Sequence, residues 1–151
     1  QQRHSDYWHW RNLEYRMSTL STANITSKAA NTPPVIKDVN GTECGTFCRA
    51  WVNFDGIGTV TIRDSFNVSS ITDNGTGAYS VNFANAMANA NYCTSVLTQF
   101  DNTNAVTTGG SAVFPEYARA AYSTTQVHVI MGIYTGALYD CKTVSVAVFG
   151  S

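Results

Sequence analysis

Side chains alternate in character through residues 48–54. The apolar ones occupy every second position: Cys48, Ala50, Val52 and Phe54. Successive side chains of a β-strand point to opposite faces, so a period of two predicts a strand with one buried face. Trp51 lies on the other face, which gives this strand apolar surface on both sides. The pattern does not fit a helix, and the surrounding chain is therefore expected to form a sheet.

Glycine-bearing turns follow this strand at intervals typical of an all-β domain. Gly56 and Gly58 predict a hairpin turn, because glycine readily adopts positive φ angles. The run at 73–77, Asp-Asn-Gly-Thr-Gly, is the strongest turn signal in the chain. Between these turns the alternation changes phase, which predicts a β-bulge near Asp64.

Later segments complete the prediction of an antiparallel β-sandwich. Residues 79–83 alternate after the second turn, and further runs with strand character cover 92–100, 125–134 and 143–149. About seven short strands separated by polar turns are typical of sandwich domains. We therefore predict an all-β domain over residues 41–151.

Residues 1–40 differ from the rest and are predicted to form a short helix followed by an extended arm. Trp10, Leu13 and Met17 fall at helical spacing, but a stripe of three residues is too small to fold alone. Pro33-Pro34 excludes a continuing helix and favours extended backbone. We expect this region to pack on another protein, with packing on its own β domain as the alternative.

Charge and composition limit the classes of partner. Nine basic and ten acidic residues give a net charge of −1, which offers no basic surface for nucleic acid or anionic membrane. Only 13% of residues are charged, about half the usual share, as is typical of extracellular and virion β proteins. No apolar run is long enough to cross a membrane, and residues 1–16 lack the apolar core of a signal peptide.

Patterns for catalysis are weak. His128 is the single histidine of the predicted β domain, and it falls on the polar side of a strand, where we expect a solvent-facing or interface residue. A glycosidase needs two carboxylates flanking a cleft, and no pair is distinguished among the acidic side chains of the domain. These are Asp55, Asp64, Asp73, Asp101, Glu116 and Asp140, of which Asp55 and Asp73 are predicted to cap turns. We expect no enzyme activity and no cofactor.

The cysteines are Cys44, Cys48, Cys93 and Cys141. Their spacing does not provide the paired units or nearby histidines that a structural zinc site requires, so we expect no metal. Buried free thiols are the expected state, with disulfides as the alternative for a secreted protein.

Three ordered motifs resemble the tail-fibre and related structural proteins of tailed bacteriophages, especially cyanophages. They are Cys-Arg-Ala-Trp-Val-Asn-Phe-Asp-Gly from Cys48, Phe-Asn-Val-Ser-Ser-Ile-Thr-Asp-Asn-Gly-Thr-Gly from Phe66, and Tyr-Ser-Val-Asn-Phe from Tyr79. The resemblance covers roughly residues 33–92. It implies a non-enzymatic virion protein, typically a homotrimer assembled in the host cytoplasm and attached to the particle at its N-terminal end.

Attachment to other virion proteins, in the tail, baseplate or capsid, is assigned to the N-terminal aromatic region. Its candidate residues are Trp8, Trp10, Leu13 and Tyr15. Trp51 is the candidate for the oligomer interface, because a strand with two apolar faces needs a second partner layer.

Contact with a host cell-surface glycan is assigned to the C-terminal half, where tyrosines are concentrated. Tyrosine combines a broad ring face with a hydroxyl, which suits stacking on a sugar. The candidate residues are Tyr117, Arg119, Tyr122 and Tyr139. The alternative is that these rings lie in the core or between subunits, which is the expectation for Tyr92.

Three functions remain open at this point. The first is a tail-fibre subunit that contacts the host with its β domain. The second is a capsid decoration, head-fibre or cement protein built on the same domain. The third is a free carbohydrate-binding module, which predicts a monomer that does not need residues 1–40.

Overall fold

The computed structural model describes residues 24–25, 34–99, 112–113, 122–133 and 136–150. All regular elements in these ranges are β-strands, which confirms the all-β prediction. They are β1 Ile36–Lys37, β2 Glu43–Gly45, β3 Cys48–Asp55, β4 Thr61–Phe66, β5 Val68–Asp73, β6 Ala78–Phe83, β7 Cys93–Gln99, β8 Ala112–Val113, β9 Gln126–Gly132 and β10 Thr143–Phe149. The predicted helix before residue 20 lies outside the described residues. Within them, no helix is long enough to cross a membrane.

Two four-stranded sheets contain most of the strands. Sheet I has the order β4-β3-β10-β7, and sheet II has the order β5-β6-β9-β8. A separate two-stranded sheet pairs β1 with β2. Every strand pair in the described residues is antiparallel, as predicted. Within the described residues, seven strands have six residues or more, which agrees with the predicted number of about seven.

The inner faces of sheets I and II share one hydrophobic core. Sheet I contributes the alternating apolar residues of β3 and β10, and sheet II contributes those of β6 and β9. The rings of Phe54 and Tyr79 meet between the sheets, with centroids 5.1 Å apart and planes at 73°. This edge-to-face contact is a favoured geometry for aromatic pairs. The result is a sandwich-like arrangement, in which full burial of each large side chain contributes about 1.5–3 kcal/mol.

A β-bulge lies where the change of phase predicted one. Asn53 pairs with Asp64 while Phe54 pairs with Ile62, which leaves Arg63 as the extra residue. The bulge directs the guanidinium of Arg63 back across the strand end, where it donates to the carbonyl of Phe54 at 3.0 Å. The alternation of apolar residues also changes phase at 66–68. This happens because Asn67 connects β4 of sheet I to β5 of sheet II.

Asn67 turns this corner with a φ of 54°, in the left-handed region. Asparagine tolerates that region because its short side chain can bond locally. Here the Asn67 amide donates to the carbonyls of Arg49 at 3.1 Å and Asn85 at 3.2 Å, and its oxygen accepts the Asn85 amide at 2.8 Å. One residue therefore joins the two sheets and anchors the loop after β6.

The turn at 73–77 is confirmed, and Gly77 shows why glycine is required there. Its φ is 65°, and an added Cβ would lie 2.5 Å from the carbonyl oxygen of Met131 and 2.8 Å from the Tyr139 nitrogen. No other residue could occupy this position without moving the backbone of the neighbouring strand. The turn thus sets how closely β6 approaches the loop at 136–142.

Candidate functional site

The outer face of sheet I carries large apolar side chains that the fold does not cover. Trp51 on β3 lies directly opposite Phe66 on β4 and Ala147 on β10. The exposed fractions of its large residues are 36% for Trp51, 54% for Phe66, 73% for Leu97 and 37% for Phe149. We call these four residues the Trp51 face. The sequence predicted apolar surface on the second face of β3, at Trp51. In the structure Trp51 belongs to a larger apolar surface, to which all four strands of sheet I contribute.

A shallow groove of about 320 Å³ lies in the middle of this face. It is lined by Trp51, Val52, Asn53, Ser95, Leu97, Ser145, Val146 and Ala147. Although Asn53 and Ser145 are polar, the Asn53 amide donates to the Ser145 hydroxyl at 2.8 Å and its oxygen accepts Arg63 at 3.3 Å. The exposed lining is consequently almost entirely apolar. Such a groove suits an apolar side chain better than a sugar, whose hydroxyls need hydrogen-bond partners.

Charged groups on this face lie towards the β4 margin. Arg63 forms an ion pair with Asp55 at 2.7 Å and also donates to the Lys142 carbonyl. Asp64 is exposed on β4 and accepts the Ser65 amide at 2.8 Å. The strands β10 and β7, on the opposite side, contain no charged residue. An apolar centre with charges on one rim is typical of a protein interface.

His128 does not face solvent, and that expectation was wrong. It is 8% exposed on the outward side of sheet II, with Nδ1 2.7 Å from the Ser80 hydroxyl and Nε2 3.1 Å from the Gln126 amide. Ser80 is 2% exposed and also accepts the Asn74 amide at 2.7 Å. A serine hydroxyl enclosed in this way has no route to a substrate. The Ser80–His128 contact is therefore a buried hydrogen-bond network rather than an activated nucleophile.

Asp140 is a structural carboxylate that joins three loops. Its Oδ1 accepts the Gly77 amide at 2.7 Å and the Tyr79 hydroxyl at 2.8 Å, and the same hydroxyl lies 2.9 Å from the Gly56 carbonyl. Burial and, after it, the hydrogen bond and charge of Asp140 hold the pKa of Tyr79 far above its usual value. The tyrosine is thus a neutral donor at any physiological pH.

Other acidic residues have the turn roles that their positions predicted. Asp55 accepts the Ile57 amide at 3.0 Å and Asp73 accepts the Gly75 amide at 2.9 Å. Asp101 and Glu116 lie outside the described residues. Among the residues that are described, no group of three or more potential ligands is placed to hold a metal ion.

The four thiols are free, but only one of them is fully buried, and Cys48 is half-buried. Cys141 is fully buried, as expected, whereas Cys44 and Cys93 are exposed. Cys93 occupies an outward position at the start of β7, opposite Phe149, and Cys44 lies in the small β1–β2 sheet. Burial, and to a smaller extent the charge of Asp140, raises the pKa of the Cys141 thiol to about 11.

The predicted glycan-contact residues do not form one cluster. Tyr122 is exposed, and it bridges to Val127 at the beginning of β9. Tyr139 is half-buried, and its amide donates to the Met131 carbonyl at the other end of β9. The four-residue step from Val127 to Met131 corresponds to about 13 Å along the strand. Tyr117 and Arg119 lie outside the described residues, as do the residues predicted for attachment, Trp8, Trp10, Leu13 and Tyr15.

Tyr92 is a core residue, as expected. It is 7% exposed and meets the rings of Phe83 and Tyr122 edge-on, at 5.8 and 5.1 Å. Its hydroxyl lies 3.0 Å from the carbonyls of Ser123 and Gln126, and burial raises its pKa. Tyr122 therefore packs against the edge of the core and is partly exposed to solvent.

Comparison with known proteins gives one structural likeness. No family model matches the sequence, and no curated protein matches it. Among solved structures, the chain is similar to the phiAB6 tailspike, crystallised in complex with three-repeated oligosaccharides of Acinetobacter baumannii surface polysaccharide. The identity is 16% and the TM-score is 0.45, over 87% of this chain and 30% of the tailspike chain. The chain thus spans less than a third of that tailspike.

Proposed function

We propose that this chain is a non-enzymatic structural subunit of a bacteriophage virion, specifically a tail-fibre subunit. It attaches to the particle through its N-terminal region and contacts the host surface with its β domain. Two features support the proposal: the three ordered motifs that resemble phage fibre proteins, and the Trp51 face. The second of these carries the most weight, because it gives the domain a reason to assemble.

Assembly covers apolar surface that a monomer leaves in water. Trp51, Phe66, Leu97 and Phe149 share one face, and single exposed apolar residues are normal whereas a contiguous patch marks an interface. The uncharged strands β7 and β10 form the part of this face farthest from the charged β4 margin. Copies of the chain can therefore meet there without bringing like charges together. We assign the Trp51 face to contact between the three copies of a homotrimer, as the resemblance implies.

In this proposal one end of the domain serves attachment and the other end contacts the host, and the direction of the strands supports that assignment. Strand β3 begins at Cys48, two residues after β2, so the N-terminal region enters at that end. The loop that carries Tyr139 lies at the opposite end, beside Gly77 and the end of β9. We therefore assign Tyr139, of the two described candidates, to the proposed host-facing end, whereas Tyr122 lies near the proposed attachment end. Three copies would multiply a weak contact with a host glycan through avidity.

A capsid decoration protein is the second candidate, since it would use the same assembly face. Gold-labelled antibody against the β domain, imaged on intact particles, separates the two. Label at the tail supports the fibre proposal, and label spread over the capsid replaces it with the decoration function. A free carbohydrate-binding module predicts no label on particles at all.

A matched pair of variants tests the assembly face itself. Trp51→Ser should dissociate the assembly, because it removes the largest apolar side chain of the face. Ile57→Ser is the control, since Ile57 is an apolar residue of similar exposure, 42%, on the β3–β4 turn. If both variants, or neither, change the assembly, the Trp51 face is not the contact.

A further inference from the structure

The edge strand β7 lacks the features that normally protect the edge of a sheet. Among the described strands it has a neighbour on one side only, β10. Its sequence, Cys-Thr-Ser-Val-Leu-Thr-Gln, contains no charged residue and no proline. Its register with β10 runs without interruption from Cys93 opposite Phe149 to Gln99 opposite Thr143. A long, regular and uncharged edge is a template for another strand.

The other long edges of the two sheets are built differently. β4, on the far side of sheet I, contains the bulge at Arg63 and the exposed carboxylate of Asp64. β5, the edge of sheet II, has a register shift between Val68 and Ser70 and ends in Asp73. Bulges and charges are the usual protection against edge-to-edge pairing. The contrast marks β7 as the edge that is open to pairing.

Thr94 on β7 carries one polar group that the described residues leave without a hydrogen bond. Its hydroxyl oxygen is buried and has no hydrogen-bond partner among the described residues. A buried hydroxyl without a partner costs about 1–3 kcal/mol. Thr94 lies on the core side of the edge strand, opposite Val148. Because this oxygen has almost no accessible surface, it is a cost within the domain core, and the case for pairing rests on the edge strand itself.

We infer that a second copy of this chain adds an extended segment alongside β7, so that sheet I continues across the subunit boundary. The second copy is the occupant because the edge is continuous with the Trp51 face. The side chains of Ser95 and Leu97 line the apolar groove beside Trp51. A copy that covers the groove therefore also reaches the edge of β7. The inference rests on the proposed self-association. It adds that backbone hydrogen bonds between β7 and a strand of the second copy connect the two chains.

Residue-resolved hydrogen exchange of the full chain tests the inference. In an antiparallel strand every second amide points away from its neighbour. The outward amides of β7 exchange freely unless a strand lies beside them. We expect these outward amides to exchange at least tenfold more slowly in the assembled protein than in the dissociated protein. The dissociated reference is the protein diluted until it is monomeric. If dilution does not dissociate the assembly, the Trp51→Ser variant serves as the reference.

Three results would overturn the inference. Fast exchange of the outward β7 amides in a confirmed assembly means that copies meet only through the Trp51 face, and the proposed function would stand. Equal protection in monomer and assembly means that a segment of the same chain already covers the edge. A full chain that stays monomeric at all concentrations would remove both the inference and the assembly on which it rests.

Discussion

The hydroxyl of Tyr79 lies 2.8 Å from Oδ1 of Asp140, although the two residues are 61 positions apart in the chain. Tyr79 lies on β6 of sheet II, whereas Asp140 lies in the loop before β10 of sheet I. Since Asp140 also accepts the Gly77 amide, one carboxylate connects the two sheets at the end of the domain where β3 ends. The loop that carries Tyr139 is thus held by hydrogen bonds to the core.

Removal of the Tyr79 hydroxyl tests this connection. Tyr79→Phe keeps the ring contact with Phe54 and should lower the free energy of unfolding by about 1–2 kcal/mol, the contribution of a buried hydrogen bond. Asp140→Ala should cost more, because it also leaves the Gly77 amide unpaired. Urea unfolding of both variants and of the double variant gives the coupling energy. Strictly additive effects would show that the two groups do not interact.

Alkaline pH should destabilise the protein. The pKa of Cys141 is raised from its usual value near 9 to about 11 in the folded state. Between these values the unfolded chain loses the thiol proton while the folded chain keeps it, so the free energy of unfolding falls as pH rises. Tyr79, whose pKa is also raised, adds to the fall above about pH 10.

Urea unfolding from pH 8 to 11 measures this effect. The slope from one such group is at most about 1.4 kcal/mol per pH unit. Cys141→Ala should show a shallower fall between pH 9 and 10 than the unmodified protein. Identical pH profiles for the two proteins would mean that the thiol titrates normally in the folded state.

Two glycines with the same backbone angle should tolerate alanine very differently. Gly58 and Gly77 have φ values of 67° and 65°, so both substitutions carry the strain of a left-handed residue, about 1–2 kcal/mol. An added Cβ at Gly58 meets nothing within 4 Å, whereas at Gly77 it meets the backbone of Met131 and Tyr139. Gly77→Ala should therefore cost at least about 2 kcal/mol more than Gly58→Ala. Equal melting temperatures would refute the close approach at Gly77.

The N-terminal attachment region allows a prediction from sequence. Replacement of Trp8 and Trp10 by alanine should abolish incorporation into particles, because these rings supply most of the apolar area of that region. The β domain should remain folded, with an unchanged melting temperature. Particles that still contain the double variant at normal level would show that attachment lies elsewhere.

Several elements of the fold could be predicted from sequence because their signals are local. The alternation in β3, the turn at 73–77 and the bulge near Asp64 each depend on a few adjacent residues. The strands β1, β2 and β8 could not be recognised, because two or three residues are too short to show a period. The corner at Asn67 was missed for a similar reason, since a positive φ at asparagine leaves no pattern in the sequence.

The candidate site could likewise be predicted only in part, because some of its residues follow from one strand and others from the pairing of distant strands. The exposure of Trp51 could be expected from one strand, but Phe66, Leu97 and Phe149 belong to three other strands. Their common face depends on register between distant segments, which the sequence does not reveal. His128 was misjudged because a polar residue in an alternating strand normally faces water. Its ring instead forms a hydrogen bond with Ser80, which lies opposite it on β6.

The mass of the full chain in solution tests the central claim most directly. Analytical ultracentrifugation over a hundredfold range of concentration should show a species of three copies, with 16.4 kDa for each chain. The Trp51→Ser variant should sediment as a monomer, and the Ile57→Ser control should behave as the unmodified protein. A clean monomer at every concentration would contradict the proposed assembly through the Trp51 face, and with it the fibre subunit.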